Sequence, residues 1–402
     1  MPIDRPLVAA RRAVAGLFLL NAIAYANAIP RLPAIKADLD LSNTALGTAV
    51  AAMPIGALLS GPLGGWAIVR FGSGRVGVAC AVAIGLVVPV FSIVPSWAAL
   101  AATFLFLGAA DSLMDVSMNA HALRVQRGYG RSIINTMHGL WSIGAVVGGT
   151  AGALAAGAAL RLEVHLALAG VSVIVAAVLL RRWLLPGIDP APEPVAAPSP
   201  ADGNVASRTR GRVGILAVLG VLVVMAAVIE DTPASWGAVF LRTELGASAA
   251  AAGTVYVAFQ VFMTIGRLTG DRAVDRFGEV AIVRAGGVLT MTGMSAGLAI
   301  GEPVAVIAGF ALAGLGAAPL FPLVFNAAAN VPGVATGHGL AAIAWMGRVG
   351  FLVSPPLVGL IGDASTLRAG LMIAPVAGAI VIVLARNLSR DRRAPTAEAV
   401  PT

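Results

Sequence analysis

"IKADLDLS", residues 35–42, closes the first apolar run of the chain, and "LRTELGAS", residues 241–248, closes a run that begins just past the middle. Position by position the two read alike: apolar, basic, spacer, acidic, Leu, two further residues, then Ser. A pattern met twice, half a chain apart and in the same order, marks two like halves. Neighbouring stretches follow it. "GPLGG" at 61–65 answers "GRLTG" at 266–270, each followed shortly by "RFG". "GAAD" at 108–111 answers "GAAP" at 316–319, and "HGL" recurs at 138–140 and 338–340.

Composition says what the halves are made of. The chain is 58% hydrophobic and 11% charged, with a mean hydropathy of +0.90, against about 25% charged residues in a soluble domain. Glycine fills 48 of 402 positions, which suits helices that approach closely in lipid. Apolar runs of roughly 20 residues predict twelve membrane spans, at 12–30, 44–66, 76–94, 98–122, 132–158 and 164–183, then 213–235, 249–270, 281–299, 303–328, 336–361 and 367–386. The fold class expected is therefore an all-α membrane protein of two pseudo-symmetric six-helix bundles. Residues 1–185 form the first bundle, 186–212 an extended linker rich in proline, and 213–402 the second bundle with a short tail.

The net charge of +8 is explained by topology rather than by nucleic acid. With the N-terminus inside, Arg31, Lys36, Arg161, Arg242 and Arg368 fall outside, Arg348 falls within a span, and every other basic residue falls on the cytoplasmic side. Both termini are expected there. The N-terminal arginines, the apolar run and "AYA" at 24–26 mimic a signal peptide, but cleavage would destroy the repeat. The single cysteine, Cys80, excludes an internal disulfide and a cysteine-rich metal site. No H-E-x-x-H, cysteine pair or phosphate-cradling loop before a Lys is present, so neither an enzyme nor a cofactor is expected. The Arg-, Ala- and Gly-rich composition with one Lys points to a bacterial source, hence to the inner membrane.

Polar groups placed in a bilayer are costly and mark function by default. "GAADSLMDVSMNAHAL", residues 108–123, puts Asp111, Asp115 and Asn119 on one helical face. Two carboxylates one turn apart cannot easily both ionise in a poor dielectric, so the pair reads as a proton-coupling device. A structural ion pair, most plausibly with Arg348, or a helix-packing hydrogen bond are the plainer readings. The seventh span supplies Glu230 and Asp231, the fifth Asn135, His138 and Trp141, the tenth Asn326, and the first Tyr25 and Asn27. Trp345 and Arg348 of the eleventh span complete the candidate solute path. His138 reads equally as a packing histidine, and the asparagines equally as links between neighbouring helices.

Across residues 12–386 the chain resembles the major facilitator superfamily. The loop after the second span, "GGWAIVRFGSGR", keeps Gly65, Arg70, Gly72 and Arg75 of the family's G-x-x-x-D-R-x-G-R signature, with Val69 in place of the acid. Its second copy, "GRLTGDRAVDRFG", keeps Asp275, Arg276 and Gly278 and adds an Arg267/Asp271 pair. The resemblance implies a cytoplasmic charge gate weighted toward the second half. Within the superfamily the chain is similar to fucose-permease-like proton symporters and their bacterial relatives. Asp115 and Asn119 match an acid, three residues, then Asn; "NTMHGLWSIGAVVGG" supplies Asn135, His138, Gly144 and Gly148. The resemblance implies that Asp115 is the protonation site and that Asn119 and Asn135 line the cavity. It departs at the first span, where the symporters' aspartate falls on Ala26 beside Asn27.

Together these features lead to an expected monomeric, proton-linked transporter of a small polar, sugar-like solute, working by alternating access in the lipid bilayer. Two other functions compete with it. "GAVVGGTAG" at 144–152 resembles a drug/proton antiporter signature with Gly149 replacing its proline. A non-transporting membrane sensor or scaffold is the third.

Overall fold

The computed structural model describes residues 5–130, 132–189, 205–331, 334 and 336–389. Among these it has twelve helices long and apolar enough to cross a membrane. They are α1 (Arg5–Asp38), α2 (Asn43–Phe71), α3 (Ser73–Ser92), α4 (Trp97–Tyr129), α5 (Ile134–Gly157) and α6 (Leu162–Trp183). The second set is α7 (Val213–Thr243), α8 (Ala249–Phe277), α9 (Glu279–Ile300), α10 (Pro303–Ala329), α11 (Gly337–Ala364) and α12 (Leu367–Leu388).

Several helices outrun the apolar segments that announce them. α4 continues to Tyr129 and α8 to Phe277, because a helix keeps its backbone bonds as it leaves the apolar layer while hydropathy falls at once. For the same reason the helix leading into α7 starts at Val205. The expected extended linker is thus helical over 205–212, a stretch without proline, while 190–204 lie outside the described residues.

The repeated octapeptide is a helix-turn-cap. Leu32–Asp38 is a short helix, Asp40 turns the chain at φ 47°, and Ser42 caps α2 by accepting from the Ala45 N–H at 3.1 Å. In the second copy Ala238–Thr243 is the helix, Gly246 turns at φ 63°, and Ser248 caps α8 by accepting from the Ala251 N–H at 3.2 Å. Positive φ favours Gly and tolerates Asp, and the serines satisfy orphan amides. The acidic member of the second copy, Glu244, accepts from the backbone N–H groups of Leu367 and Arg368 at the start of α12.

Helix pairing repeats with the sequence. α1 packs on α5 and α6, α2 on α4, and α3 on α4 and α6. Six helices later the same pairs recur: α7 on α11 and α12, α8 on α10, and α9 on α10 and α12. The bundles are joined chiefly by α5 with α8 and α2 with α11, and also by the end of α1 against α7 and α8. The chain after α6 is tied down at the end where α1 begins: Ser73 donates from N and Oγ to Asp189 at 2.5 and 2.8 Å, and the Leu185 N–H donates to His121 Nε2 at 3.1 Å.

The bundles meet closely at the opposite, far end. Gly47 and Gly359 leave no room for a Cβ against Pro355 and Asn43 respectively, and Asp363 of α11 accepts from the Asn43 and Thr44 N–H groups of α2 at 2.9 and 2.7 Å. A small apolar cluster of Ala22, Ala26, Ile29, Ala145, Ala234 and Tyr256, flanked by Tyr25 and Trp141, seals the gap between bundles. At this end a cavity of about 270 Å³ lies between the bundles, lined by residues including Arg31 and Arg242. Arg31 is 6% exposed. Its Nη2 donates to the Leu160 carbonyl at 2.7 Å, while Nε and Nη1 are buried without a partner. At the other end, Asn135 and His138 of α5 and Asp271 and Asp275 of α8 are exposed. The molecule is closed at the far end and open at the end where α1 begins.

Candidate functional site

The face of α4 predicted from spacing divides its two aspartates. Asp111 is half-buried and accepts from Asn21 Nδ2 of α1 at 2.7 Å. Trp141 Nε1 of α5 donates to Asn21 Oδ1 at 2.7 Å. Three helices are thereby joined through one buried amide, which uses both its donor and its acceptor. Asp115 has no such anchor. It is exposed, and among the described residues its carboxylate accepts only from Asn119 Nδ2 at 2.9 Å, one turn along its own helix. His138 of α5 and Arg348 of α11 lie within electrostatic reach of it, which sets Asp115 on the face between the bundles. The alternative Asp–Arg348 ion pair is not formed among the described residues.

The acidic pair of α7 also divides. Glu230 accepts from Arg267 Nη2 of α8 at 3.4 Å, and Arg267 Nη1 donates across the bundles to Ser142 Oγ of α5 at 3.2 Å. Arg267 thus faces Glu230, and no ion pair joins it to Asp271 among the described residues. Arg267 reaches back toward the membrane centre, where a desolvated carboxylate rewards a partner, whereas Asp271 is exposed and an exposed pair gains little. Asp231 is buried; its Oδ1 accepts from Ser235 Oγ at 2.7 Å, and its Oδ2 has no partner. Tyr25 lies half-buried within electrostatic reach of Asp231, Asp111 and Tyr256, whose hydroxyl accepts from Gln260 at 2.8 Å.

Other expected residues differ in exposure and place. Asn119 and Trp141 are half-buried beside the aspartates, and Asn135, His138 and Asn326 are exposed toward the open end. Trp345 is 60% exposed, and Arg348 is half-buried. Asn27 goes elsewhere: it is buried inside the first bundle, where Nδ2 donates to the Ile23 carbonyl at 2.8 Å and Oδ1 meets His165 Nε2 of α6 at 3.1 Å. It is taken up by helix packing and is not part of the face between bundles. The gate residues are not engaged with one another. Arg70 and Arg276 lie over the neighbouring rings of Phe71 and Phe277, Arg75 and Asp275 are exposed, and no ion pair joins Asp271 or Asp275 among the described residues.

Sequence reasoning passed over Ser142, Ser235, Ser354, Tyr256, Gln260 and His165. Each is a neutral polar side chain on an apolar helix, cheap enough to carry little signal. His165, a lone histidine in an otherwise apolar span, was the one with a readable mark.

The arrangement offers one accessible carboxylate, a nearby imidazole and guanidinium, and aromatic walls, in a space open at one end. Comparison with known proteins places it. The model of the Major Facilitator Superfamily matches residues 14–230 and 219–402. An uncharacterised MFS-type transporter of Yersinia pestis is 31% identical over 352 residues, 87% of this chain and 88% of that one. Among solved structures, the nucleoside transporter NupG superposes with a TM-score of 0.71 at 15% identity, over 94% of this chain and 98% of its own. A D-xylose–proton symporter superposes with a TM-score of 0.70 at 14% identity, over 96% and 97%. At that identity the structures share the fold, and the sequence matches supply the kinship: the chain is a membrane transporter belonging to the Major Facilitator Superfamily.

Proposed function

We propose that this protein is a proton-linked secondary transporter of a small polar, sugar-like solute, working by alternating access as a monomer in the bacterial inner membrane. Its termini and arginine-rich ends face the cytoplasm, so the open end is the cytoplasmic one. The observation that carries the reading is Asp115: an exposed carboxylate on the face between bundles, with His138 and Arg348 in electrostatic reach and no fixed counter-ion. Such a group can exchange a proton with whichever side the space is open to. Asn119, Asn135, Asn326, Trp141 and Trp345 supply the hydrogen bonds and ring faces that a polyhydroxylated solute needs. A relative in fold, the D-xylose–proton symporter, supports the same chemistry.

The antiporter reading is separated from symport by the direction of proton movement. The glycines on which that reading rests, Gly144, Gly148 and Gly152, press α5 against the backbone of α1 at Leu19, Ile23 and Asn27, a contact compatible with either direction. The test is a screen of sugars, polyols and nucleosides in proteoliposomes with an imposed proton gradient, repeated with Asp115→Asn. Solute-dependent proton uptake in the direction of solute flux is expected, with loss in the variant. Proton movement opposite to the solute overturns symport, and unchanged proton-driven flux in Asp115→Asn overturns the site.

A further inference from the structure

The far-end cavity has no part in the solute path described above, yet its lining is chemically pointed. Its walls come from both bundles: Arg31 of α1 and Ala156 of α5 on one side, Arg242 and Thr243 of α7 and Ala249 of α8 on the other. The remaining lining is proline and alanine, so the two guanidiniums are the only charged groups among the lining residues. Arg31 is nine-tenths buried, and with Nη2 held by the Leu160 carbonyl it keeps two of its three nitrogens, Nε and Nη1, without a partner. Arg242 is exposed, and its Nη1 donates to the Ala247 carbonyl at 2.7 Å, which fixes the group beside the cavity.

No side chain here supplies the counter-charge. Glu163 and Asp38 lie within electrostatic reach of Arg31. Among the described residues neither forms an ion pair with it, and Glu163 meets Arg161 at 3.5 Å. Glu244 and Asp363, the other acids of this closure, are taken up by backbone N–H groups. His165 of α6, also within reach of Arg31, is engaged through Nε2 with Asn27 and brings no negative charge. Water can meet the free N–H groups one by one, but it leaves two like charges facing one small space. An anion meets both the hydrogen bonds and the charge.

The internal repeat does not require Arg31 either. With Ile35 matched to Leu241, the counterpart of Arg31 is Gly237. The guanidinium is thus an addition to one half, placed where the other half can face it with Arg242.

We propose that this cavity is an oxyanion site, sized for a phosphate group, which Arg31 and Arg242 grip from opposite bundles. Because its two arginines belong to different bundles, the site is complete only while the far end is shut, and its ligand favours that state. It is separate from Asp115 and does not rest on the proton-linked reading.

Isothermal titration calorimetry of inorganic phosphate into the full chain tests this, in dodecyl maltoside micelles and phosphate-free buffer at constant ionic strength. One phosphate per chain is expected. Arg31→Gln is expected to weaken binding at least about tenfold and Arg242→Gln about threefold, while Asp115→Asn and Arg348→Gln bind as the parent does. Absence of binding, with water as the partner of Arg31, overturns the proposal. So does undiminished binding by Arg31→Gln, or loss in Arg348→Gln alone, which would put the phosphate in the solute path. Spin labels at Ala98→Cys and Ser365→Cys, in a Cys80→Ala background, follow the far end by pulsed electron paramagnetic resonance. Phosphate is expected to raise the short-distance population in the parent and not in Arg31→Gln; binding that leaves the population unmoved overturns the closed-state assignment. Phosphatidylcholine nanodiscs with and without phosphatidylglycerol separate the two sources of such a group. Displacement of phosphate by phosphatidylglycerol supports the site with a lipid headgroup as ligand, and undisturbed binding supports it with a free anion. If Arg31→Gln does not fold, a phosphate affinity of Arg242→Gln equal to the parent's overturns the proposal.

Discussion

The acidic pairs on α4 and α7 sit in matching bundles, yet they are built differently. Asp111 and Asp115 are one helical turn apart and share a face, so the neighbours they meet decide between them: a buried amide holds the first, and the second faces open space. Glu230 and Asp231 are adjacent, so the helix itself sends them apart, one to a guanidinium and the other into the α7–α11 contact. In both bundles one acid is fixed by a strong partner and one is left under-satisfied. The fixed acids brace the fold, and the under-satisfied ones are free to change state.

The largest test of this division is on α4. Asp115→Asn is expected to lower proton-driven flux at least about tenfold, the effect of losing roughly 1.4 kcal/mol from the coupled step, whereas Asp111→Asn leaves flux within about twofold. Flux in reconstituted vesicles checks it, and equal losses would erase the difference between the two aspartates. Next in size is the brace on α7. Arg267→Ala strands Glu230 and is expected to cost about 2 kcal/mol of stability, below the roughly 3–5 kcal/mol of a fully dry pair, because the two side chains are 31% and 17% exposed. Equilibrium unfolding in mixed micelles reads this, and adding Glu230→Gln should recover part of the loss. If the double variant is no better than the single, the pair is not coupled. The smallest effect is expected at the amide. Asn21→Ala leaves Asp111 and Trp141 unpaired, a cost of about 1–2 kcal/mol, with the proton dependence of flux unchanged. A shifted proton dependence would instead make Asp111 part of the coupling.

Much of the fold could be read before any coordinates, for a physical reason. Apolar length reports bilayer thickness, and a repeated cap and turn report repeated backbone geometry, as Ser42 and Ser248 show. Helix ends were less legible at Tyr129 and Phe277, where backbone bonding outlasts hydropathy. The site was legible by residue type and periodicity but not by partner. Spacing placed Asp111 and Asp115 together and could not say which would meet Asn21. The loop signature put Arg267 beside Asp271 and gave no sign of Glu230, which it meets across α7 and α8. Asn27 looked like a cavity residue because an amide in an apolar span is conspicuous, but His165 on α6 claims it. The hydroxyls of Ser142, Ser235 and Ser354 are too cheap to stand out, although "SPP" at 354–356 is visible as a helix defect.

The guanidinium of Arg31 has a consequence for energy. Closing the far end wraps a cation in protein that meets only part of its hydrogen-bonding capacity, and the adjoining cavity of about 270 Å³ has room for water to meet the rest. A barrier built this way resists without latching, because among the described residues no ion pair on Arg31 has to break when it reopens.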